Sequence, residues 1–462
     1  MNEHKRSPIS LDSQAILNQL PWGEGADLEF KSAKGGLPRS LWETYSAMAN
    51  THGGVILLGV EDNGTVSGIT NPAHLKKNFW DIINNYGKVS INLLANTDMA
   101  EIAHPSGVIL AIRVPRATRY QRPVFLGQNP LTGTYRRNHE SDYHCTEQEV
   151  SRMLSDRAEE PADSRILEGF GMSDIDPVTL QQYRQRLASH KPDHPWLNAD
   201  DQELLTKLGG WRQDRKTEMK GLTMAGVLMF GREEVIREGV PSYHVDYREK
   251  LSDDPASRWT DRLTMDGTWH ANLFQFYSRA VHRLTADLRL PFLLDSALFR
   301  KGETIVHEAI REALVNTLIH ADHLGQGGIV VEKYPNRFLF SNPGGLLVSL
   351  EQLLRGNVSE CRNKALQTMF MMIGIAEKAG SGVDKIFYGW KTQRWSTPSV
   401  NEQMQPNRIS WLLPMVPMET DDSVHKEANS VHKEADSVHK EADSVHKEAD
   451  SVHKEADSVH KA

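Results

Sequence analysis

Four residues near the N-terminus, Glu24, Glu29, Lys31 and Asp62, are of the types that phosphodiester hydrolysis uses. Carboxylate oxygens hold Mg²⁺ or Mn²⁺, and a lysine beside them stabilises the charge that builds on phosphorus. Spacing alone is weak evidence, because surface strands are rich in Glu and Lys. The elements around the four residues decide whether they meet. From Glu24 to Ile69 the pattern predicts a strand (Asp27 to Lys31), a loop holding Gly35-Gly36, a helix (about Ser40 to Asn50) and a second strand (Val55 to Glu61). A compact β-α-β unit of this kind would bring the three carboxylates to one sheet edge with Lys31 beside them.

A second constellation lies in the segment His307 to His323 (HEAIREALVNTLIHADH). Val306, Ala309, Ile310, Ala313, Leu314, Thr317, Leu318 and Ala321 form an apolar helical face, while Glu308, Glu312, Asn316 and His320 recur every four residues on another. Glu312 and Asn316, one turn apart, suit orienting a water and ligating a Mg²⁺ that bridges nucleotide phosphates. Asn342-Pro343-Gly344-Gly345 and Gly380-Ser381-Gly382 are turns whose open backbone could admit a base and cradle phosphates. The chain has no G-x-x-x-x-G-K-[ST], which excludes a P-loop ATPase.

A third group is basic. Arg113, Arg116, Arg119, Arg122, Arg136 and Arg137 are interleaved with Tyr120 and Tyr135, a mixture that binds phosphates and stacks bases. A solvated strand face with a loop would have the same composition.

The pattern divides the chain into an arm (1–20), a mixed α/β domain (21–157), a linker and mostly helical bridging region (158–300), a second α/β domain (301–415) and a tail (416–462). In the bridging region Pro177 to Ser189, Asp200 to Leu208 and His270 to Leu288 read as helices, and Thr223 to Phe230 and Ser242 to Tyr247 as strands. The tail repeats Asp/Asn-Ser-Val-His-Lys-Glu-Ala, a seven-residue period that suggests a weak heptad helix or disorder.

The first α/β segment resembles the Alba-like core domain shared by Schlafen proteins and many bacterial proteins. The resemblance rests on Gly23-Glu24, Glu29-Phe30-Lys31, Ala49-Asn50-Thr51, Gly53-Gly54, Gly59-Val60 and Asp62, and continues through Arg122-Pro123-Val124 and Tyr135-Arg136-Arg137 to the closing helix. It implies a nucleic-acid domain, with Glu24, Glu29 and Asp62 as the metal-holding nuclease site. The second α/β segment is similar to the GHKL fold of gyrase, heat-shock chaperones and histidine kinases. That resemblance implies Glu312 as water-orienting base, Asn316 as Mg²⁺ ligand, and Asn342, Gly344, Gly345, Gly380 and Gly382 as nucleotide contacts. The Asp that usually reads the adenine amino group is absent, and Ser341 or Asn342 stands near its place. No winged-helix pattern follows Pro414.

The whole chain bounds these readings. Its 462 residues suffice for two or three domains, and no apolar run is long enough to span a bilayer. The N-terminus lacks the apolar core of a secretory signal, so a soluble cytoplasmic protein without a membrane partner is expected. Cys145 and Cys361 exclude both a disulfide framework and a cysteine zinc site. Of the net charge of −8, half comes from the repeat between Asp422 and Ala462, which holds ten Asp/Glu against six Lys. Any polyanion site is therefore local. The expectation is an α+β / α/β multidomain homo-oligomer: a metal-dependent endoribonuclease, acting on tRNA, other RNA or single-stranded DNA and gated by ATP. By resemblance its setting is anti-phage defence. The alternatives are a non-enzymatic, ATP-binding transcriptional regulator and an assembly protein driven by ATP and the tail.

Overall fold

The computed structural model describes residues 11–158, 160–251, 258–286, 288, 304–355, 360–376, 382–404 and 406–418. The heptad repeat and Gly380 lie outside the described residues. After α1 (Ser13–Gln19), β1 (Leu28–Lys31) runs to α2 (Ser40–Asn50) and on to β2 (Gly54–Leu58). β1 and β2 pair in parallel, Leu28 opposite Val55 and Lys31 opposite Leu58. A parallel pair cannot close through a hairpin, and α2 supplies the crossover. Following α3 (Pro72–Ile83), the antiparallel hairpin of β3 (Met99–His104) and β4 (Gly107–Val114) completes a sheet in the order β1-β2-β4-β3.

Strand alternation gives this sheet two apolar faces. Ile56, Leu58, Leu110 and Ile112 face Leu41, Tyr45 and Met48 of α2 and Leu75 and Phe79 of α3. Val55, Leu57, Ile109 and Ala111 face the opposite core, which Ile16 and Leu20 close. Residues 11–20 are thus part of the domain's packing, not a free arm. A short α4 (Pro130–Gly133), the hairpin β5 (Tyr135–Asn138) and β6 (Ser141–His144), and α5 (Glu147–Arg157) follow. α5 starts with a capping box in which Thr146 and Glu149 exchange side-chain and backbone hydrogen bonds. Asn50, at the end of α2, holds the crossing segment: it donates to the carbonyls of Val124 and Tyr135 and accepts from the Val124 N–H.

The bridging region holds α6 (Pro177–His190), α7 (Asp201–Leu208), a small hairpin of β7 (Trp211–Gln213) and β8 (Lys220–Leu222), α8 (Met224–Phe230) and α9 (Glu233–Gly239). The segment expected as a strand, Thr223 to Phe230, is α8. The Thr223 hydroxyl caps it by accepting from the Gly226 N–H, and every residue from Met224 to Phe230 is buried. A continuous apolar run suits a buried helix as well as a buried strand, and here the cap decides.

Next come β9 (Val245–Glu249), β10 (Asp261–Thr264), α10 (Leu273–Thr285), α11 (Ile305–Ile319), β11 (Ile329–Tyr334), β12 (Arg337–Pro343), α12 (Leu350–Arg355), α13 (Lys364–Met372), α14 (Gly382–Thr392), β13 (Ser399–Met404) and β14 (Asn407–Pro414). The C-terminal sheet has the order β10-β9-β11-β12-β14-β13, with β9 parallel to β11. Its first two strands come from before residue 300. One apolar core, from Leu167 to Leu413, joins the bridging helices to this sheet. Position 300 is therefore no packing boundary. α14 lies on the sheet through Trp390, whose ring meets Phe338 edge-on, and packs along α11.

Candidate functional site

The β-α-β unit gathers the N-terminal carboxylates. Glu24, just before β1, accepts from the Phe30 N–H at 2.8 Å. Burial raises the Glu24 carboxyl above its ordinary value, the Glu29 and Asp62 charges push the same way, and the Phe30 N–H and Lys31 oppose them. Those charge couplings place Glu24, Glu29, Lys31 and Asp62 within one electrostatic neighbourhood. Asp62 is exposed on the turn after β2. Trp22, 85% exposed, stands two residues before Glu24.

Glu29 differs from the other two carboxylates. It is buried, one oxygen pairs with Lys31, and the other accepts from Arg137 Nη2 at 2.6 Å. Arg137 is fully engaged: Nη1 donates to Asp142 at 2.9 Å, Nε to the Ala26 carbonyl and Nη2 also to the Gly25 carbonyl. Burial opposes its charge, but Glu29 and Asp142 outweigh that effect and hold the guanidinium above its ordinary value. Asp142 in turn accepts from the Thr44 hydroxyl. Among the described residues no group of three His, Cys, Asp or Glu has the geometry to hold a metal ion. With both Glu29 oxygens occupied by cations, the carboxylates as arranged do not fit a divalent ion.

The six arginines do not share one surface. Arg113 pairs with Asp98 and remains half exposed. Arg137 belongs to the Glu29 network, and Arg136 lies beside Glu149 and Tyr143, while Tyr135 stacks at 4.2 Å on His144. Arg116, Arg119 and Arg122 point into the joint between the N-terminal domain and the rest of the chain. Arg116 grips Glu402 with two bonds, at 2.7 and 3.0 Å, and both side chains are buried. Glu402 also accepts from the Leu346 N–H, and these donors hold its carboxylate below its ordinary value although burial pushes it up. Arg119 pairs with Glu360, and Arg122 and Arg116 both donate to the Leu346 carbonyl. From the other side Arg362 pairs with Asp156 and donates to the Gly345 carbonyl. The joint is built from Asp156, Glu360, Arg362 and Glu402, none of which has a local sequence signal; their partners lie about 35 to 290 residues away.

The expected nucleotide contacts fall at two stations along α11. At the first, Asn316 Nδ2 donates to Glu312 Oε1 at 3.3 Å, and Gly382 opens α14 directly against that carboxylate. A Cβ at position 382 would stand 2.0 Å from Glu312 Oε1, so only glycine leaves the carboxylate its place at the helix N-terminus. Glu312, Asn316 and the α14 backbone thus lie together, and they are the groups that the sequence resemblance assigns to the phosphate end of a nucleotide and its Mg²⁺. Gly382→Ala is expected to displace Glu312, to weaken binding of an ATP analogue at least tenfold and to destabilise the domain by about 1–3 kcal/mol. A binding titration with a parallel melting curve checks this. The second station is beyond the α11 C-terminus, where the Asp322 N–H donates to the Pro343 carbonyl. Gly344, at φ +98°, sits against Asp322 and Arg362, and Gly345 against Glu402 and Asn407. Asn342 is buried in β12 opposite Ile409, and its amide donates to the Pro343 carbonyl. The turn expected to contact nucleotide thus runs directly into Leu346, whose carbonyl the N-terminal arginines grip.

Fold and sites define a protein of mixed α/β architecture in which an Alba-like domain is locked onto an ATPase-like sheet and helix layer. Residues 24–146 match the family model described as "Schlafen, AlbA_2", and residues 326–409 match "Putative ATP-dependent DNA helicase recG C-terminal", a HATPase_c_4 domain. The chain therefore carries a Schlafen AlbA_2 domain at its N-terminus and an ATPase-like domain at its C-terminus. Residues 151–246 match a domain of unknown function, DUF8451. The second match starts after α11, so Glu312 and Asn316 lie outside it. Together the two named domains indicate a nucleic-acid-related, ATP-binding function. No curated protein matches the chain significantly. Among solved structures, the DIP2311 protein from Corynebacterium diphtheriae is similar at 18% identity and a TM-score of 0.43, over 87% of this chain and 79% of that one. The N-terminal domain of a RecG-related protein from Nitrosomonas europaea is similar at 25% identity and a TM-score of 0.23, over 30% of this chain and 95% of that one. No helix among the described residues is long and apolar enough to cross a membrane.

Proposed function

We propose that the chain is a nucleotide-responsive nucleic-acid protein. The AlbA_2 domain engages RNA or single-stranded DNA, and ATP at Glu312, Asn316 and Gly382 sets how that domain is presented. The observation that carries this reading is the shared turn: Gly344 to Leu346 closes β12 of the ATPase-like domain and is held by Arg116 and Arg122 of the AlbA_2 domain. Trp22, exposed beside the carboxylate edge, offers a face on which a base can stack. The test is binding of a labelled single-stranded RNA by the full chain. Salt-dependent binding that weakens in Trp22→Ala supports the reading, and RNA binding no tighter than that of an unrelated acidic protein contradicts it.

A second reading, endoribonuclease action at the same edge, is favoured by Glu24. Its carboxyl is raised by burial and by two neighbouring carboxylates, and a lysine lies close by, a combination that marks candidate acid-base groups. In this reading Glu24 moves a proton and Lys31 meets the charge on the phosphate. A divalent ion has no place in the step as the side chains stand, because Lys31 and Arg137 already satisfy Glu29. Labelled tRNA incubated with EDTA and, separately, with Mn²⁺ tests it. Cleavage lost in Glu24→Gln supports it, and cleavage unchanged in both Glu24→Gln and Asp62→Ala overturns it. A role in phage defence is the biological setting of this second reading.

A further inference from the structure

The joint between the two domains encloses a cleft of about 380 Å³, within the range of small-molecule sites. Its walls come from both sides: Arg122, Arg136 and Arg152 from the AlbA_2 region, and Gly345, Leu346 and Asn407 from the ATPase-like domain. Four polar atoms in this wall are buried without a hydrogen-bond partner among the described residues: Arg122 Nε, Arg136 Nε and Nη1, and Asn407 Oδ1. Buried donors and acceptors left unmatched are costly, and in native proteins they usually find a partner in a ligand or an ordered water.

Among the described residues, the charges around the cleft leave one cation over. Glu402 is bound by Arg116, Asp156 by Arg362, and Asp322 by Arg152. Glu149 lies 3.0 Å from Arg136 Nε, near enough to pair by charge but off-line for a hydrogen bond, and its other oxygen caps α5. Among the described residues no carboxylate lies within ion-pair distance of Arg122, and its hydrogen bond goes to the Leu346 carbonyl at 3.2 Å. Burial, and after it Arg116, press its guanidinium down to about 10, against the pull of Glu402 and Asp156. A buried charge without its own counterion is a stored penalty that an incoming anion removes.

We propose that this cleft is a binding site for a phosphate-bearing small molecule of mononucleotide size, separate from the nucleotide station at Glu312 and Asn316. Arg122 and Arg136 take the phosphate, for which two guanidinium donors are well suited, and Asn407 accepts from an amino or hydroxyl group of the ligand. Because its walls belong to two domains, an occupant ties them together and stabilises the joint.

The test is calorimetric titration of the full chain, without Mg²⁺, with AMP, inorganic phosphate, adenosine and a single-stranded oligonucleotide. The expected order is AMP tighter than phosphate and adenosine weakest. Arg122→Gln should weaken AMP at least tenfold, Arg122→Lys less, and Asn316→Ala should not change it. If Arg122→Gln does not fold, Arg136→Gln and the rise in melting temperature of the wild-type chain with AMP take its place. Failure of AMP to bind at millimolar concentration overturns the proposal. So does AMP binding that survives both arginine variants, AMP binding lost in Asn316→Ala alone, or an Arg122→Gln effect confined to the oligonucleotide, which would make this a strand site.

Discussion

Arg137→Met is expected to destabilise the N-terminal domain by about 3–5 kcal/mol, the range for removing one partner of a buried ion pair. At the size of this domain that is a fall in melting temperature of roughly 10–20 °C. The reason is the company Arg137 keeps. Its side chain is 2% exposed and satisfies Glu29, Asp142 and two carbonyls of the segment leading into β1. Methionine fills similar volume but leaves Glu29 with Lys31 alone and strands Asp142 beside the Thr44 hydroxyl. Arg137→Lys should recover only part of the loss, since one ammonium cannot reach all four acceptors. Thermal melts of the three proteins check this. A loss below about 1 kcal/mol for Arg137→Met would show that the network is solvated in solution.

The second large effect concerns the joint. Truncating either partner of the Arg116 and Glu402 pair is expected to cost about 2–5 kcal/mol of domain coupling. Glu402→Gln keeps an acceptor for the Leu346 N–H and should lose less than Glu402→Ala. Uncoupling should appear as an earlier, separate unfolding transition and as faster proteolysis in the linker near residues 157–165. A double-mutant cycle isolates the pair from the rest of the interface. The pH sign follows from Glu402, whose folded carboxyl is held below its ordinary value of 4.5. Its stabilisation is complete above that value and is lost as pH falls through the lower, folded one. The joint should therefore hold at neutral pH and loosen under acid.

Much of the fold was legible because it is local. The β1-α2-β2 unit and the amphipathic α11 each follow from residues within one or two turns of each other. Glu24, Glu29, Lys31 and Asp62 share an electrostatic neighbourhood for the same reason, but the hold of Arg137 on Glu29 comes from 108 residues away. Thr223 to Phe230 read as a strand because an unbroken apolar run has no period, and the deciding feature was a single hydroxyl cap. The arginines were misleading for another reason. Composition shows that cations are dense between 113 and 137, but not that Glu29, Glu360 and Glu402 take three of them, because those pairings are made by tertiary contact. The sheet shared across position 300 was hidden in the same way: β9 finds its partner β11 some 80 residues later.

In the proposed function, nucleotide at α11 and α14 is felt by the AlbA_2 domain through the turn held by Arg116 and Arg122. The most direct measurement is the affinity of a labelled single-stranded RNA with and without a saturating non-hydrolysable ATP analogue, in the wild-type chain, in Asn316→Ala and in Glu402→Ala. The expected result is a change of at least fivefold in the wild type and none in either variant, which corresponds to a coupling of about 1 kcal/mol or more. An RNA affinity that ignores the analogue in the wild type, while the analogue itself binds, would contradict it.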